Sequence, residues 1–257
     1  MNLRLRQACC LILALSAVCF CLNGCLAKQR PTLTVSAAAS LQDTIVELET
    51  VYQRKYGAIS FHNNFGASGT LAREIEQGAP VDVVLSASKK QLDQLQSGGL
   101  IETDTQLDLL RNSLVLVAPL DSSLHGFDQL DSKQVKLIAM GDPEVVPAGQ
   151  YGKQTLTYLH IYDKLKRRLV LGKDVRQVLA YVESGNVDAG LVYATDAQSS
   201  KRVRIVAMAP EASHEPISYL AAVVKGSRNE QTAREFVEFL TSSDARAIFL
   251  RHGFTMA

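Results

Sequence analysis

Short apolar runs alternate with amphipathic helical patterns along most of the chain. The clearest runs are LTVSAA at 33–38, VDVVLSA at 81–87, SLVLVAP at 113–119 and AGLVYA at 189–194. Their apolar residues are consecutive rather than alternating with polar ones, which is typical of strands that are buried on both faces. The sequence therefore predicts an α/β fold, with parallel sheets covered by helices on both sides.

The series of apolar strands is interrupted near Asn112 and then starts again. If residues 1–24 are removed from the 257-residue chain, 233 residues remain. That length is enough for one large domain or for two smaller ones that each bury a core. We expect two α/β lobes, because the strand pattern restarts after the interruption.

The first 25 residues, MNLRLRQACCLILALSAVCFCLNGC, have the pattern of an export signal. Arg4 and Arg6 precede an uncharged apolar run over 8–22 that is too short for a comfortable membrane span. The end of this run, LNGC at 22–25, resembles the lipobox of bacterial lipoproteins. We predict a signal peptide over 1–24, a lipid on Cys25, and an exported protein anchored on the membrane, in the periplasm or at the cell surface. The alternative is an ordinary secretory peptide in which this cysteine is incidental.

Cysteine and charge usage exclude several other classes of protein. All five cysteines lie within the first 25 residues, so the remainder has no thiol for a disulfide or a zinc site. The formal net charge is +1, and the one basic cluster is KLKRR at 164–168. We interpret this cluster as a solvated helix surface and predict no nucleic-acid partner.

Small residues and serines stand where strands give way to helices. Ser40 follows the first strand, and Ser68 lies in the segment FGASGT at 65–70. Small side chains leave the first N–H groups of a helix uncovered, and these groups attract anions. Both serines also fit ordinary helix N-caps, Ser40 together with Asp43 as a capping box. Spacing alone leaves the two interpretations open.

Five segments, in this order, resemble the molybdate-binding proteins of bacterial ABC importers. They are AAASL at 37–41, ASGTLAREIEQGAPVD at 67–82, GDPEVVPAG at 141–149, DVR at 174–176 and GLVYATDA at 190–197. The resemblance extends over nearly all of the chain after the signal peptide, and GDPEVVPAG is its most specific element. Gly69 departs from the family pattern, because many members have another serine there.

The resemblance implies a type II periplasmic-binding fold whose two lobes enclose a tetrahedral oxyanion. Lobe 1 would comprise 31–112 plus 222–257 and lobe 2 would comprise 113–221, with hinges near Asn112 and Ala221. The oxyanion would be held by neutral donors only, which are Ser40, Ser68, Ala148, Val175 and Tyr193. The ligand would be molybdate or tungstate, with no cofactor and no direct metal-cation ligand. The partner would be an ABC permease, and we expect a monomer without enzymatic activity.

Other functions remain as alternatives. A binding protein for sulfate or another oxyanion would use the same kind of site. An exported serine hydrolase could use Ser68, although the G-x-S-x-G pattern fails because position 70 is Thr. A metal-cation-binding lipoprotein would need clustered ligands, whereas the histidines are far apart along the chain: His62, His125, His160, His214 and His252.

Overall fold

The computed structural model describes residues 31–57 and 59–257, and they contain eleven strands. The predicted signal peptide and Cys25 lie outside the described residues. The strands are β1 Thr32–Ala38, β2 Ser60–Gly66, β3 Val83–Ser86, β4 Leu107–Arg111, β5 Leu114–Pro119, β6 Ile138–Gly141, β7 Leu169–Gly172, β8 Ala189–Tyr193, β9 Val203–Met208, β10 Ser218–Val223 and β11 Thr255–Met256.

Nine α-helices accompany these strands in the described part of the chain. They are α1 Gln42–Tyr56, α2 Ser68–Glu76, α3 Lys89–Ser97, α4 Pro147–Tyr158, α5 Tyr162–Leu165, α6 Val175–Glu183, α7 Ala194–Gln198, α8 Glu230–Phe239 and α9 Ser243–Arg251. None of the helices that the structure describes is both long and apolar enough to cross a membrane.

The strands form two sheets, and the α/β fold predicted from the sequence is confirmed. A six-stranded sheet has the order β11-β4-β10-β3-β1-β2, and a five-stranded sheet has the order β7-β6-β8-β5-β9. We call residues 32–111 together with 218–257 the first lobe, and residues 114–208 the second lobe. The first lobe contains the six-stranded sheet, and the second lobe contains the other.

The sheets are mixed, so the prediction of parallel sheets is only partly correct. Strand β1 runs parallel to β2 and β3, and β6 runs parallel to β7 and β8. Strand β10 is antiparallel to both of its main neighbours, and so is β5. Five of the six residues of β5 are fully buried although the strand is antiparallel. A continuous apolar run reports burial on both faces, and it does not report direction.

The chain passes from the first sheet to the second between Arg111 and Leu114, and it returns before Ser218. Residues 218–221, which the sequence assigned to lobe 2, therefore belong to strand β10 of the first sheet. Helix α4 ends at Tyr158, and His160 beyond it has a positive φ of 58°.

Helix α1 is held against the first lobe by an aromatic cluster. The ring of Tyr52 lies 5.2 Å from the rings of Phe236 and Phe239, and Phe61 lies 5.0 Å from Phe236. Such aromatic pairs contribute about 0.5–1.5 kcal/mol each beyond their buried area. This packing fixes the helix whose start lies at the candidate site.

Candidate anion-binding site

The structure brings all five predicted site residues to one small cavity between the lobes. Its lining comprises Ala38, Ala39, Ser40, Gly66, Ala67, Ser68, Ala87, Val146, Pro147, Ala148, Val175 and Tyr193. The five predicted residues are each no more than 5% exposed. The cavity is small: the space open to the centre of a water-sized sphere is about 10 Å³, which is about the space that one water molecule needs.

Four larger clefts contain none of the five predicted site residues. One of about 740 Å³ in the second lobe is lined by Asp121, Asp188 and Lys133 among other residues. Two carboxylates face this cleft, and they would repel a dianion. We therefore place the candidate site at the small cavity between the lobes.

Neighbouring strand ends position the donors of each lobe. In the first lobe, β1 and β2 end side by side, with Ala38 paired to Gly66. In the second lobe, β6 and β7 end side by side, with Gly141 paired to Gly172. Each of these four strands is followed by a helical segment, so four helix starts meet at the carboxyl ends of parallel strands, where α/β proteins bind ligands.

The hydroxyl of Ser68 is oriented by the backbone of the next strand end. Its Oγ accepts a hydrogen bond of 2.9 Å from the N–H of Ala87. Because the oxygen is used as an acceptor there, the hydroxyl hydrogen remains free to donate. Ser68 is also the first residue of α2, so its own N–H has no intrahelical acceptor.

The hydroxyl of Ser40 is supported by two residues to which the sequence analysis gave no role in the site, Asn112 and Tyr219. The backbone N–H of Ser113 donates to Asn112 Oδ1, which fixes the orientation of that amide. Asn112 Nδ2 then donates to the hydroxyl oxygen of Tyr219 at 3.2 Å, and this hydroxyl lies 2.9 Å from Ser40 Oγ. With Tyr219 donating to Ser40, the hydrogen of Ser40 is free to point to the cavity.

Ser40 is not the helix cap that the sequence left open as one interpretation. It lies in a short 3₁₀ segment, Ala39–Leu41, and the N-cap of α1 is Leu41, without a side-chain hydrogen bond. The predicted capping box with Asp43 is therefore wrong. The Ser40 oxygen contacts the distant Tyr219 hydroxyl instead, a partner 179 residues away that no local pattern reveals.

The second lobe offers backbone donors at the starts of α4 and α6. Pro147 is the first residue of α4 and has no N–H, so the N–H of Ala148 is the first donor. In α6 the carboxylate of the N-cap Asp174 accepts from the N–H of Gln177 at 2.8 Å. This bond uses the donor three residues beyond the cap, and Val175 N–H has no intrahelical acceptor.

Tyr193 provides the observation that points most directly to a ligand. Its side chain is 1% exposed, and its hydroxyl has no hydrogen-bond partner in the described structure. Burial raises the pKa of Tyr193 well above its ordinary value, so the group is a neutral donor. A buried donor without a partner costs about 1–3 kcal/mol, and an anion in the cavity would accept this hydrogen bond.

The cavity has no cationic side chain among its described lining residues. Arg176, one residue beyond Val175, is engaged elsewhere. Its Nη2 lies 2.7 Å from Asp43 of the first lobe, and its Nε lies 3.1 Å from Asp196. Burial raises the pKa of Asp196 to about 7, although the charge of Arg176 opposes this increase.

Gly69 has a role that the sequence did not reveal. Its N–H donates to the carbonyl oxygen of Val145 at 3.0 Å, which joins the two lobes directly beside the cavity. A Cβ on Gly69 would lie 2.7 Å from that oxygen and 2.9 Å from Val145 Cα. Only glycine permits this approach of the two backbones.

Comparisons with known proteins agree with this architecture. The family model described as bacterial extracellular solute-binding protein matches residues 33–255. The chain is 44% identical over 230 residues to a Bacillus subtilis (strain 168) protein named as an ABC transporter substrate-binding lipoprotein, YvgL, with 89% of this chain and 88% of that protein covered.

Two further relatives are similar over most of their length. Identity is 40% over 248 residues to the molybdate-binding protein ModA of Escherichia coli (strain K12), covering 94% of this chain and 95% of that protein. A solved structure named as the substrate-binding domain of a molybdenum ABC transporter from Clostridium difficile is 42% identical, with a TM-score of 0.69, covering 88% and 99%. Because the family model matches residues 33–255, the chain belongs to the family of bacterial extracellular solute-binding proteins.

Proposed function

We propose that this protein captures molybdate or tungstate outside the cytoplasm and delivers it to an ABC permease. The observation that carries the proposal is the buried, unpartnered hydroxyl of Tyr193, which lines the same cavity as Ser40 and Ser68. Three hydroxyl groups and at least two helix N–H groups meet there. The names of the relatives point to the same ligand.

The chemistry of these donors suits an oxyanion that carries no proton. Molybdate is a dianion near neutral pH and accepts hydrogen bonds only. Phosphate is partly protonated at this pH and needs an acceptor, whereas no carboxylate lies among the described lining residues. Each hydrogen bond to a charged group is worth about 1.5–3 kcal/mol. Several together can exceed an association cost of about 4–15 kcal/mol.

Selection against sulfate would rest on size, because sulfate has the same hydrogen-bonding needs. The lobes meet closely at Gly69 and Val145, so closure would define the dimensions of the cavity. Tungstate resembles molybdate in size and charge, and we expect both to bind. Sulfate remains the alternative ligand for this site.

A serine hydrolase is less compatible with the geometry. The Ser68 oxygen accepts from a backbone N–H, and the described lining of the cavity contains no histidine to act as a base. Within residues 31–57 and 59–257, no cluster of three His, Cys, Asp or Glu residues could hold a metal ion. We therefore propose a binding function in which the protein itself catalyses no reaction.

Transport by this protein would follow from closure of the two lobes. The open form would bind the anion, and hinge movement at the two chain crossings would bring the second set of donors onto it. The closed form would then dock on the permease. A lipid on Cys25 would keep the protein near that partner.

Thermal unfolding of the chain from residue 26 onward tests this proposal, because that chain contains every described element of both sheets. Saturation at a thousand times the dissociation constant adds about 4 kcal/mol, which for this length raises the melting temperature by roughly 8–16 °C. We expect a rise with molybdate and tungstate but not with sulfate or phosphate. A rise with sulfate alone would refute the selectivity, and no rise with any of the four anions would refute the site.

A further inference from the structure

Arg176 stands at the boundary between the lobes, beside the candidate site. It is the second residue of α6, directly after Val175. Its Nη2 donates to Asp43 Oδ2 at 2.7 Å, and Asp43 lies in the first turn of α1. These two helices belong to different lobes. Of the ion pairs in the described part of the chain, this is the one that joins the lobes.

The second lobe holds Arg176 in place for this contact. Its Nε lies 3.1 Å from the carboxylate of Asp196, which is fully buried, and its Nη1 lies 3.3 Å from Ser199 Oγ. Nε and Nη1 thus lie at the second lobe, Nε in an ion pair with Asp196 that includes no hydrogen bond, and Nη2 is left for the first lobe. An arginine held in this way loses little further side-chain freedom when it meets a carboxylate.

Both partners are adjacent to residues of the candidate site. Asp43 follows Ser40 by three positions, and Arg176 follows Val175 by one. An anion that contacts both Ser40 and Val175 brings these helix starts together, and the same movement brings Asp43 to Arg176. Neither charged side chain lines the cavity, so the pair acts on closure without contacting the ligand.

We propose that Asp43 and Arg176 form a closing latch, an ion pair that is made when the lobes close and that lengthens the residence time of the bound anion. The inference rests on the proposed binding function and adds to it a pair of positioning residues outside the cavity. The latch slows release of the ligand, while capture by the open form proceeds without it.

Asp43 is the appropriate residue to change, because it is about half exposed and its loss leaves no buried charge. Removal of Arg176 would instead leave the buried Asp196 without its partner and would destabilise the second lobe itself. Asp244 offers a matched control. It pairs with Lys55 of the same helix α1 at 2.8 Å and is similarly exposed, but both partners lie in the first lobe.

The test measures release of radioactive molybdate into an excess of unlabelled molybdate, using the chain from residue 26 onward. We expect Asp43→Asn to release molybdate about two- to five-fold faster than the wild type, with an unchanged association rate. Asp244→Asn should release at the wild-type rate, and Asp43→Glu, which keeps the charge, should restore most of the slow release. High salt should reduce the difference, because it screens the pair.

Two outcomes would overturn the latch. If Asp43→Asn released molybdate at the wild-type rate, the ion pair would have no effect on retention, and if it released molybdate more slowly, the carboxylate would act by repelling the dianion. If Asp244→Asn accelerated release equally, the effect would be a general one on α1.

Failure of the latch can be separated from failure of the proposed function. If the wild type binds none of the four oxyanions, the binding function fails and the latch fails with it. If the wild type binds molybdate and Asp43→Asn releases it at the wild-type rate, the latch alone fails. Nitroxide labels on Lys90→Cys and Lys153→Cys, which line one cleft between the lobes, report the distance across it. With molybdate bound, the latch requires that Asp43→Asn shift this distance distribution to longer values, and an unchanged distribution would refute it.

Discussion

Substitution of Tyr193 by phenylalanine separates a binding role from a structural role. The hydroxyl is buried, lines the cavity and has no partner in the described structure. Its removal costs the folded protein no hydrogen bond, but it removes one donor to the anion. A hydrogen bond to a charged group is worth about 1.5–3 kcal/mol, so affinity for molybdate should fall roughly 10- to 150-fold.

The stability of the ligand-free protein should respond differently. Because the hydroxyl is an unsatisfied buried donor, its removal should leave the free energy of unfolding unchanged or raise it by up to about 1 kcal/mol. Calorimetric titration measures the affinity, and chemical denaturation without anion measures the stability. The combination of weaker binding with undiminished stability is the expected signature.

Tyr219→Phe is the matched control. The Tyr219 hydroxyl already contacts Ser40 and Asn112, so its loss should lower ligand-free stability by about 1–2 kcal/mol. If Tyr193→Phe bound molybdate within two-fold of the wild type, the assignment of this hydroxyl to the ligand would be refuted. A loss of stability as large as that of Tyr219→Phe would show that Tyr193 is structural.

Three further predictions concern closure, pH and anchoring. Gly69→Ala places a Cβ 2.7 Å from the Val145 oxygen, so closure of the lobes should become less favourable by about 1–3 kcal/mol. Calorimetry should show lower affinity for molybdate, with little change in the melting temperature of the ligand-free protein. An affinity equal to that of the wild type would contradict the role of this contact in closure. Burial raises the pKa of Glu49 from its ordinary 4.5 to about 7. The protonated carboxyl therefore contributes stability that is fully present below about pH 4.5 and is lost as the pH rises through about 7. Glu49→Gln can still contact Asn63. Its free energy of unfolding should rise relative to that of the wild type by on the order of 2 kcal/mol between about pH 5 and pH 8. Chemical denaturation at both pH values measures this difference, and an equal difference at the two values would exclude the raised pKa. Cys25→Ser should abolish incorporation of labelled fatty acid into the protein, and undiminished incorporation would exclude lipid anchoring at this residue.

The identity of the junction residues could be predicted because it is a local property. Ser68 and Ala148 lie where apolar strands give way to helices, and small residues at these points expose backbone donors whatever the rest of the chain does. The structure places all five predicted residues at one cavity. Their contacts with an anion remain a prediction.

Strand direction and partners could not be predicted in the same way. The apolar run of β5 indicated burial correctly, but its antiparallel position between β8 and β9 depends on how the chain returns. Strand β10 likewise joins the first sheet at Ser218, earlier than the sequence pattern suggested. Sheet order is decided by contacts between segments far apart in sequence, which no local window contains.

The sequence by itself determined the α/β class, because periodicity is encoded within a few positions, and its resemblance to the molybdate-binding proteins indicated the residues that line the candidate site. Only the tertiary structure decided which groups support them. Asn112 and Tyr219 orient Ser40 from more than 70 residues away, and Arg176 meets Asp43 across 133 positions. These interactions are short in space and long in sequence, so they exist only once both sheets have folded and the lobes have met.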